Sequence, residues 1–288
     1  MEHERDQEAR DFDRAMRVQA ERRFDAAVSL WEVFVERYPD RAHGYANLAL
    51  CLINSSRVED ALGEAREAYR LSHGQGHHMV LLEALAANKL WGELAREAAD
   101  YLERYPDDFM GWNMRGEAAR ERGEPRDARE HFCKSVDLEP HQSYAWGRLG
   151  KIYLDQGRFE DAIDAWGKSQ AYAYTRPSPV DQIRFEALMG MGWSLLLMGT
   201  PDRALVLAQQ AEKLAVDLAE VQGLRARCLF TMDYPAGLGV AEDAFRNGYN
   251  DDYLRARAAF EYAMLGSATR LESTWARWGR TRAFSPAT

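Results

Sequence analysis

Few residues in this chain are of a type and spacing that could support chemistry. Three histidines cluster in His73-Gly74-Gln75-Gly76-His77-His78, and imidazoles suit zinc or copper. No carboxylate or cysteine stands close to them in sequence, so the stretch reads as a solvated turn rather than a metal site. Cys51, Cys133 and Cys228 lie 82 and 95 residues apart. That spacing builds neither a disulfide framework nor a zinc site, and small apolar fillers in a reducing compartment are expected. Carboxylates abound beside arginines at helical spacing, as in Glu64, Glu67 and Arg70, which is a solvated helix face rather than an acid–base pair. Gly190-Met191-Gly192 has neither a preceding strand nor a third glycine, and no phosphate loop, zinc helix or nucleophile elbow is present. The expectation is a protein that is not an enzyme, with no catalytic residue, cofactor or metal.

The 37 Lys and Arg against 46 Asp and Glu in 288 residues give a formal charge of -9. Affinity for a phosphate backbone needs clustered cations, so this balance disfavours nucleic acid. The start of the chain, Met1-Glu2-His3-Glu4-Arg5-Asp6, is charged, and no run of 18 apolar residues occurs. No leader and no membrane span are therefore expected, and the setting reads as cytoplasmic.

The elements that would carry a function are repeated. Val35-Glu36-Arg37-Tyr38-Pro39-Asp40 returns 67 residues later as Leu102-Glu103-Arg104-Tyr105-Pro106-Asp107. Gly123-Glu124-Pro125-Arg126-Asp127-Ala128 returns after 34 residues as Gly157-Arg158-Phe159-Glu160-Asp161-Ala162, and Gly199 to Ala204 has the same shape. Within each period a stretch such as Trp146 to Leu154 places apolar residues at helical spacing. A turn at Ser55-Ser56, Gly123, Gly157 or Gly199 follows, then a second helical stretch ending near Pro39, Pro106 or Pro140. No segment alternates with period two.

The stretch Trp146-Gly147-Arg148-Leu149-Gly150-Lys151-Ile152-Tyr153, followed by Phe159, Ala162 and Trp166, resembles the tetratricopeptide repeat family. Trp112, Gly116, Ala128, Phe132 and Pro140 carry the same resemblance one period earlier. It implies an all-α, right-handed α-solenoid of about seven helix-turn-helix units over residues 1–266, near 8–41, 42–74, 75–108, 109–142, 143–176, 185–217 and 218–250, then a closing helix from Tyr253 to Leu265. Gly116, Gly150 and Gly192 on first helices, and Ala27, Ala61, Ala128, Ala162 and Ala204 on second helices, would let helix axes approach. Trp31, Phe132 and Trp166 would fill space against the next unit. About eight extra residues at 177–184 break the period. There Ser178 and Pro179 suit the start of a lengthened helix through Met198, and the insertion is either a longer loop or a bend between sub-stacks.

By resemblance, the partner of such a stack is a protein or peptide segment held along the concave face of first helices. Projection gives Asn47, Asn54, Met79, Met110, Asn113, Met114, Tyr144, Arg148, Lys151, Met189, Trp193, Leu197 and Phe230 as its lining, a set rich in methionine and aromatics that suits an adaptable ligand. Trp193, Leu197 and Phe230 become core if the register slips by one. The alternative role is a structural subunit or assembly scaffold using the convex face and edges. Residues 267–288 form a basic, tryptophan-bearing tail of net +3, which leaves −12 on residues 1–266 and favours a basic or mixed-charge partner. Leu271, Trp275 and Trp278 share one helical face of this tail. It would cap the last repeat, dock into a groove of its own chain or of a second copy, or bind a partner.

Overall fold

The structure is a computed structural model that describes residues 2–173, 180–214, 216–233 and 236–264, with side chains from residue 5 to residue 261. Every element among them is a helix: α1 (Glu2–Ala20), α2 (Phe24–Arg37), α3 (Ala42–Asn54), α4 (Val58–Leu71), α5 (Gln75–Ala87), α6 (Trp91–Arg104), α7 (Phe109–Glu121), α8 (Pro125–Leu138), α9 (Ser143–Asp155), α10 (Phe159–Tyr172), α11 (Val180–Leu197), α12 (Pro201–Glu212), α13 (Leu218–Thr231), α14 (Ala236–Arg246) and α15 (Asp252–Met264). The chain divides into two units at Pro140/His141, the first holding α1 to α8 and the second α9 to α15. Odd-numbered helices are the first of each pair and even-numbered helices the second.

One local device makes the pairs. Two residues beyond the end of each first helix from α1 to α13, the backbone turns left-handed at Arg22, Ser56, Lys89, Gly123, Gly157, Gly199 and Asp233. The next N–H then reaches back five residues, as from Arg57 to Leu52 (2.9 Å), Glu124 to Ala119 (2.9 Å) and Arg158 to Tyr153 (2.9 Å). This satisfies carbonyls that the helix end would otherwise leave bare. Glycine takes the conformation without steric cost. Proline at the first position of α8 and α12 then starts the second helix with its angle already set.

That turn residue also serves as a ruler for burial. In α2, α4, α6, α8, α10 and α12, the residues five, nine and twelve positions after it are all buried, from Ala27, Trp31 and Phe34 in α2 to Ala204, Ala208 and Ala211 in α12. In α14 the buried set falls one residue earlier, at Gly237, Ala241 and Ala244. Small first-helix residues seat the large ones. A Cβ on Gly116 would lie 2.9 Å from the Phe132 ring, and one on Gly150 would lie 2.7 Å from Trp166. Both contacts are within a pair, so these rings do not serve only the following unit as the sequence implied. Trp166 also reaches the next pair, where a Cβ on Gly190 would come within 2.3 Å of it. Two buried hydroxyls fasten second helices to the start of first ones: Ser135 Oγ donates to the Phe109 carbonyl (3.0 Å) and Ser169 Oγ to that of Ser143 (2.9 Å).

The histidine stretch is a solvated turn only in part: His73, Gln75 and Gly76 are exposed, whereas its end is not. It runs into the first turn of α5, and His78 is fully buried. Its ring stacks on Tyr69 at 4.3 Å, meets the edge of Tyr101 at 5.2 Å and places Nε2 3.3 Å from a Glu97 oxygen. Burial outweighs that carboxylate and lowers the imidazole pKa below 6.5. The lengthened helix expected through Met198 is α11, with 18 residues against 13 in α9. Ser178 and Pro179 lie outside the described residues, as do Leu271, Trp275 and Trp278 of the tail.

Candidate partner-binding site

In the first unit the candidate face belongs to α3, α5 and α7. Asn47 is half-buried and its amide donates to the His43 carbonyl (2.8 Å), while its oxygen receives a long bond from Gln19 (3.4 Å). Asn54 likewise spends its amide on the Leu50 carbonyl (2.7 Å). Both amides are thus spent on a carbonyl of their own helix, four residues back. Met110 and Met114 are half-exposed, whereas Met79 and Asn113 are each only 8% exposed. Glu117 pairs with Arg120 at 2.9 Å, and Arg120 also holds Glu121. Glu83 differs from these acids. It occupies the same repeat position as Leu50 and Glu117, is half-buried, and has no hydrogen bond or ion pair among the described residues. Burial alone pushes its pKa above 4.5.

In the second unit the face on α9, α11 and α13 is built from cations over rings. Arg148 sits over Tyr144 at 4.8 Å, and Lys151 pairs with Asp155 at 3.0 Å. Arg227 lies 5.4 Å from the Trp193 ring and 4.7 Å from Tyr253, and its guanidinium holds Asp251 at 2.6 Å. Such contacts contribute about 0.5–1 kcal/mol when exposed. Trp193 is half-buried, and on the same helix as Arg227 the Glu220 carboxyl has its pKa raised by burial and by Asp217 and Glu186. Leu197 and Tyr144 are open, at 56% and 44%. Met189 and Phe230 are not part of an open face; both are core, at 2% and 3% exposure.

The cause of these departures is a single step of helical register. Counting back from the left-handed turn residue, positions thirteen, nine, six and two carry Met110, Tyr144, Asn47, Met114, Arg148, Lys151, Trp193, Asn54 and Leu197, all exposed or half-buried. Position ten carries Met79, Asn113 and Met189, and position three carries Phe230; all four turn inward. One residue rotates a side chain by about 100° around the axis. Sequence projection missed Arg227, Glu220 and Tyr253. The first stands at the same position as Lys151 and Trp193, a signal the ruler exposes.

A third feature lies away from these faces. Ile163, Met191, Leu195, Arg203, Val206 and Leu207 line an open cleft of about 350 Å³ between α10, α11 and α12. Its wall is apolar except for Arg203. Among the described residues no group of three His, Cys, Asp or Glu could hold a metal ion, and no helix is long and apolar enough to cross a membrane.

Comparison with known proteins points one way. A tetratricopeptide repeat family model matches residues 12–76 and 113–174. No curated protein matches the sequence. Among solved structures, the fold is similar to a chain of the APC/C hetero-tetramer Cut9-Hcn1, with a TM-score of 0.69 at 12% identity, covering 81% of this chain and 45% of that one. This chain therefore spans less than half the length of that relative. It is similar also to a tetratricopeptide repeat protein from Parabacteroides merdae, with a TM-score of 0.61 at 11% identity over 88% of this chain and 98% of that one. A third is TTC0263, a thermophilic TPR protein in Thermus thermophilus, with a TM-score of 0.54 at 20% identity over 64% of this chain and 98% of that one. With its helix pairs, its turns and these matches, the chain is an all-α solenoid in which residues 12–76 and 113–174 match the tetratricopeptide repeat family.

Proposed function

We propose that this protein is a non-catalytic interaction module, working in the cytoplasm, that binds a peptide-like partner segment along the first-helix face and needs no cofactor or metal. The fold supports a protein-interaction or scaffold role in general. The observation that carries the narrower reading is Glu83. A carboxylate half-sunk without a cation carries a desolvation cost that a partner's Lys or Arg would offset. The half-exposed Met110 and Met114 on α7 offer adaptable apolar contact to the residues flanking that cation. The partner is accordingly a basic or mixed-charge segment. The three cysteines, which are free thiols, fit a reducing compartment.

A phage-displayed random-peptide library selected on the whole protein tests this reading. Peptides with Lys or Arg beside apolar residues should be enriched, and Glu83→Lys should weaken them about tenfold or more. Enrichment that is indifferent to Glu83→Lys sinks it. The cleft on α10 to α12 favours a second reading, a scaffold held by its second-helix side, because Val206 in its wall is 51% exposed. Under that reading Val206→Asp, not Glu83→Lys, abolishes partner capture.

A further inference from the structure

The turn residue that locates buried positions also shows where one second helix departs from the others. Counted from it, position four is acidic in α4, α6, α8 and α10, as Asp60, Glu93, Asp127 and Asp161, but is Arg203 in α12. Asp60 holds Arg57 at 2.8 Å, Glu93 holds Arg66 at 2.8 Å and Asp161 holds Arg158 at 2.6 Å. Arg203 has no hydrogen bond or ion pair among the described residues. Position seven is exposed in every second helix from α2 to α12. It holds Ser29, Gly63, Arg96, Glu130 and Asp164 in the first five, and Val206, 51% exposed, in α12. Both exchanges fall on one spot. Arg203 and Val206 are three residues apart on one face of α12, and both line the cleft with Ile163, Met191, Leu195 and Leu207.

We propose that this cleft docks an amphipathic helix of a partner protein, which sets an Asp or Glu against Arg203 and aliphatic side chains against Val206 and Ile163. The inference deepens the second-helix reading of the cleft and does not depend on Glu83. Charge selects the partner. The wall is aliphatic with one cation, and Asp164 beside Ile163 is already held by Lys168 at 2.7 Å. An incoming carboxylate therefore meets a positive charge at an apolar edge, where a pair is screened less than in open water. The backbone selects a helix. Ile163, Met191, Leu195, Val206 and Leu207 lie within α10, α11 and α12, whose N–H and C=O groups are bonded along each helix. An extended segment would gain no main-chain bonds here, whereas a helix arrives with its own satisfied. The open cleft of about 350 Å³ is at the low end of the ~300–1,000 Å³ that encloses small ligands, and it suits a ridge of side chains. A second copy of α12 supplies no acid, because antiparallel pairing about Val206 sets Arg203 against Gln209. The chain's own residues 267–288, with four arginines against Glu272, carry the wrong net sign.

A phage-displayed library of small helical domains with one randomised face tests the assignment. It is selected on the whole protein carrying Glu83→Lys, which removes binders that need that carboxylate. Enriched clones should carry Asp or Glu beside aliphatic residues at helical spacing. Val206→Asp should weaken them about tenfold or more, and Arg203→Glu should reverse the selected charge to Lys or Arg. Both side chains are exposed, so each variant should melt with its parent. Clones weakened by Val206→Asp yet indifferent to Arg203→Glu, in affinity and in selected charge, overturn the acidic partner and leave the second-helix reading standing. The absence of any clone sensitive to Val206→Asp overturns both. A concentration-dependent dimer by light scattering that Val206→Asp abolishes assigns the cleft to a second copy and overturns the proposal too.

Discussion

Gly190 in α11 and Gly167 in α10 test whether helix contact or helix propensity governs stability. A Cβ on Gly190 would stand 2.3 Å from Trp166 Cε2 and 2.4 Å from Nε1, so the ring must withdraw by roughly 1 Å to restore van der Waals contact. The same ring atoms lie against Gly150 of α9. Overpacking of this severity belongs near ~3 kcal/mol, while alanine contributes ~1 kcal/mol of helix propensity. Gly190→Ala should therefore lose about 2 kcal/mol, a fall in Tm of about 4–8 °C for a domain of this size. A Cβ on Gly167 meets nothing within 4 Å, and Gly167→Ala should gain ~0.5–1 kcal/mol. Both glycines lie in the second unit, so urea melts followed by circular dichroism and by tryptophan fluorescence report on one transition. Adding Trp166→Phe should return part of the loss in Gly190→Ala, a coupling of about 1 kcal/mol in a double-mutant cycle. Equal shifts of the two glycine variants in the same direction would refute the packing account.

Other outcomes follow from buried titratable groups. Glu83 has its pKa raised, so the native state binds more protons than the unfolded chain above pH 4.5, and stability falls as pH rises through the raised pKa. Glu83→Gln should flatten that fall and raise the urea midpoint at pH 7. His78 has the opposite linkage: its pKa is lowered, so its contribution is complete above pH 6.5 and is lost as pH drops below it toward the folded value. His78→Phe should be less sensitive to acid over that window, read by the same melts. Cys51 and Cys228 are buried with thiols pushed up to about 11 and about 12, so a thiol reagent at pH 8 should label half-buried Cys133 first, by peptide mass mapping.

Much of the fold is legible in the sequence because its determinants are local. Gly123, Gly157 and Gly199 mark turns that only their own helix ends dictate, and Pro125 and Pro201 mark the next helix start. The turns at Arg22, Lys89 and Asp233 use the same left-handed conformation with residues that give no such signal. The candidate face is less legible, since adjacent positions such as Asn113 and Met114 differ in burial by rotation alone. Choosing between them needs the turn as a fixed origin. His78 escaped for another reason: Tyr69, Glu97 and Tyr101, which surround it, come from helices on either side in sequence, and no local pattern announces their meeting.

The serine bonds from Ser135 to Phe109 and from Ser169 to Ser143 close loops of 26 residues, and Arg104 reaches Tyr69 across 35. Bonds of such short reach place this chain among rapid folders, since little loop-closure entropy is lost before contacts compensate it. A nascent chain could complete each such bond soon after about one further repeat leaves the ribosome, without waiting for distant segments. Synthesis order and folding order would then coincide, and a ribosome stalled between repeats would display a folded stump rather than an exposed, aggregation-prone coil.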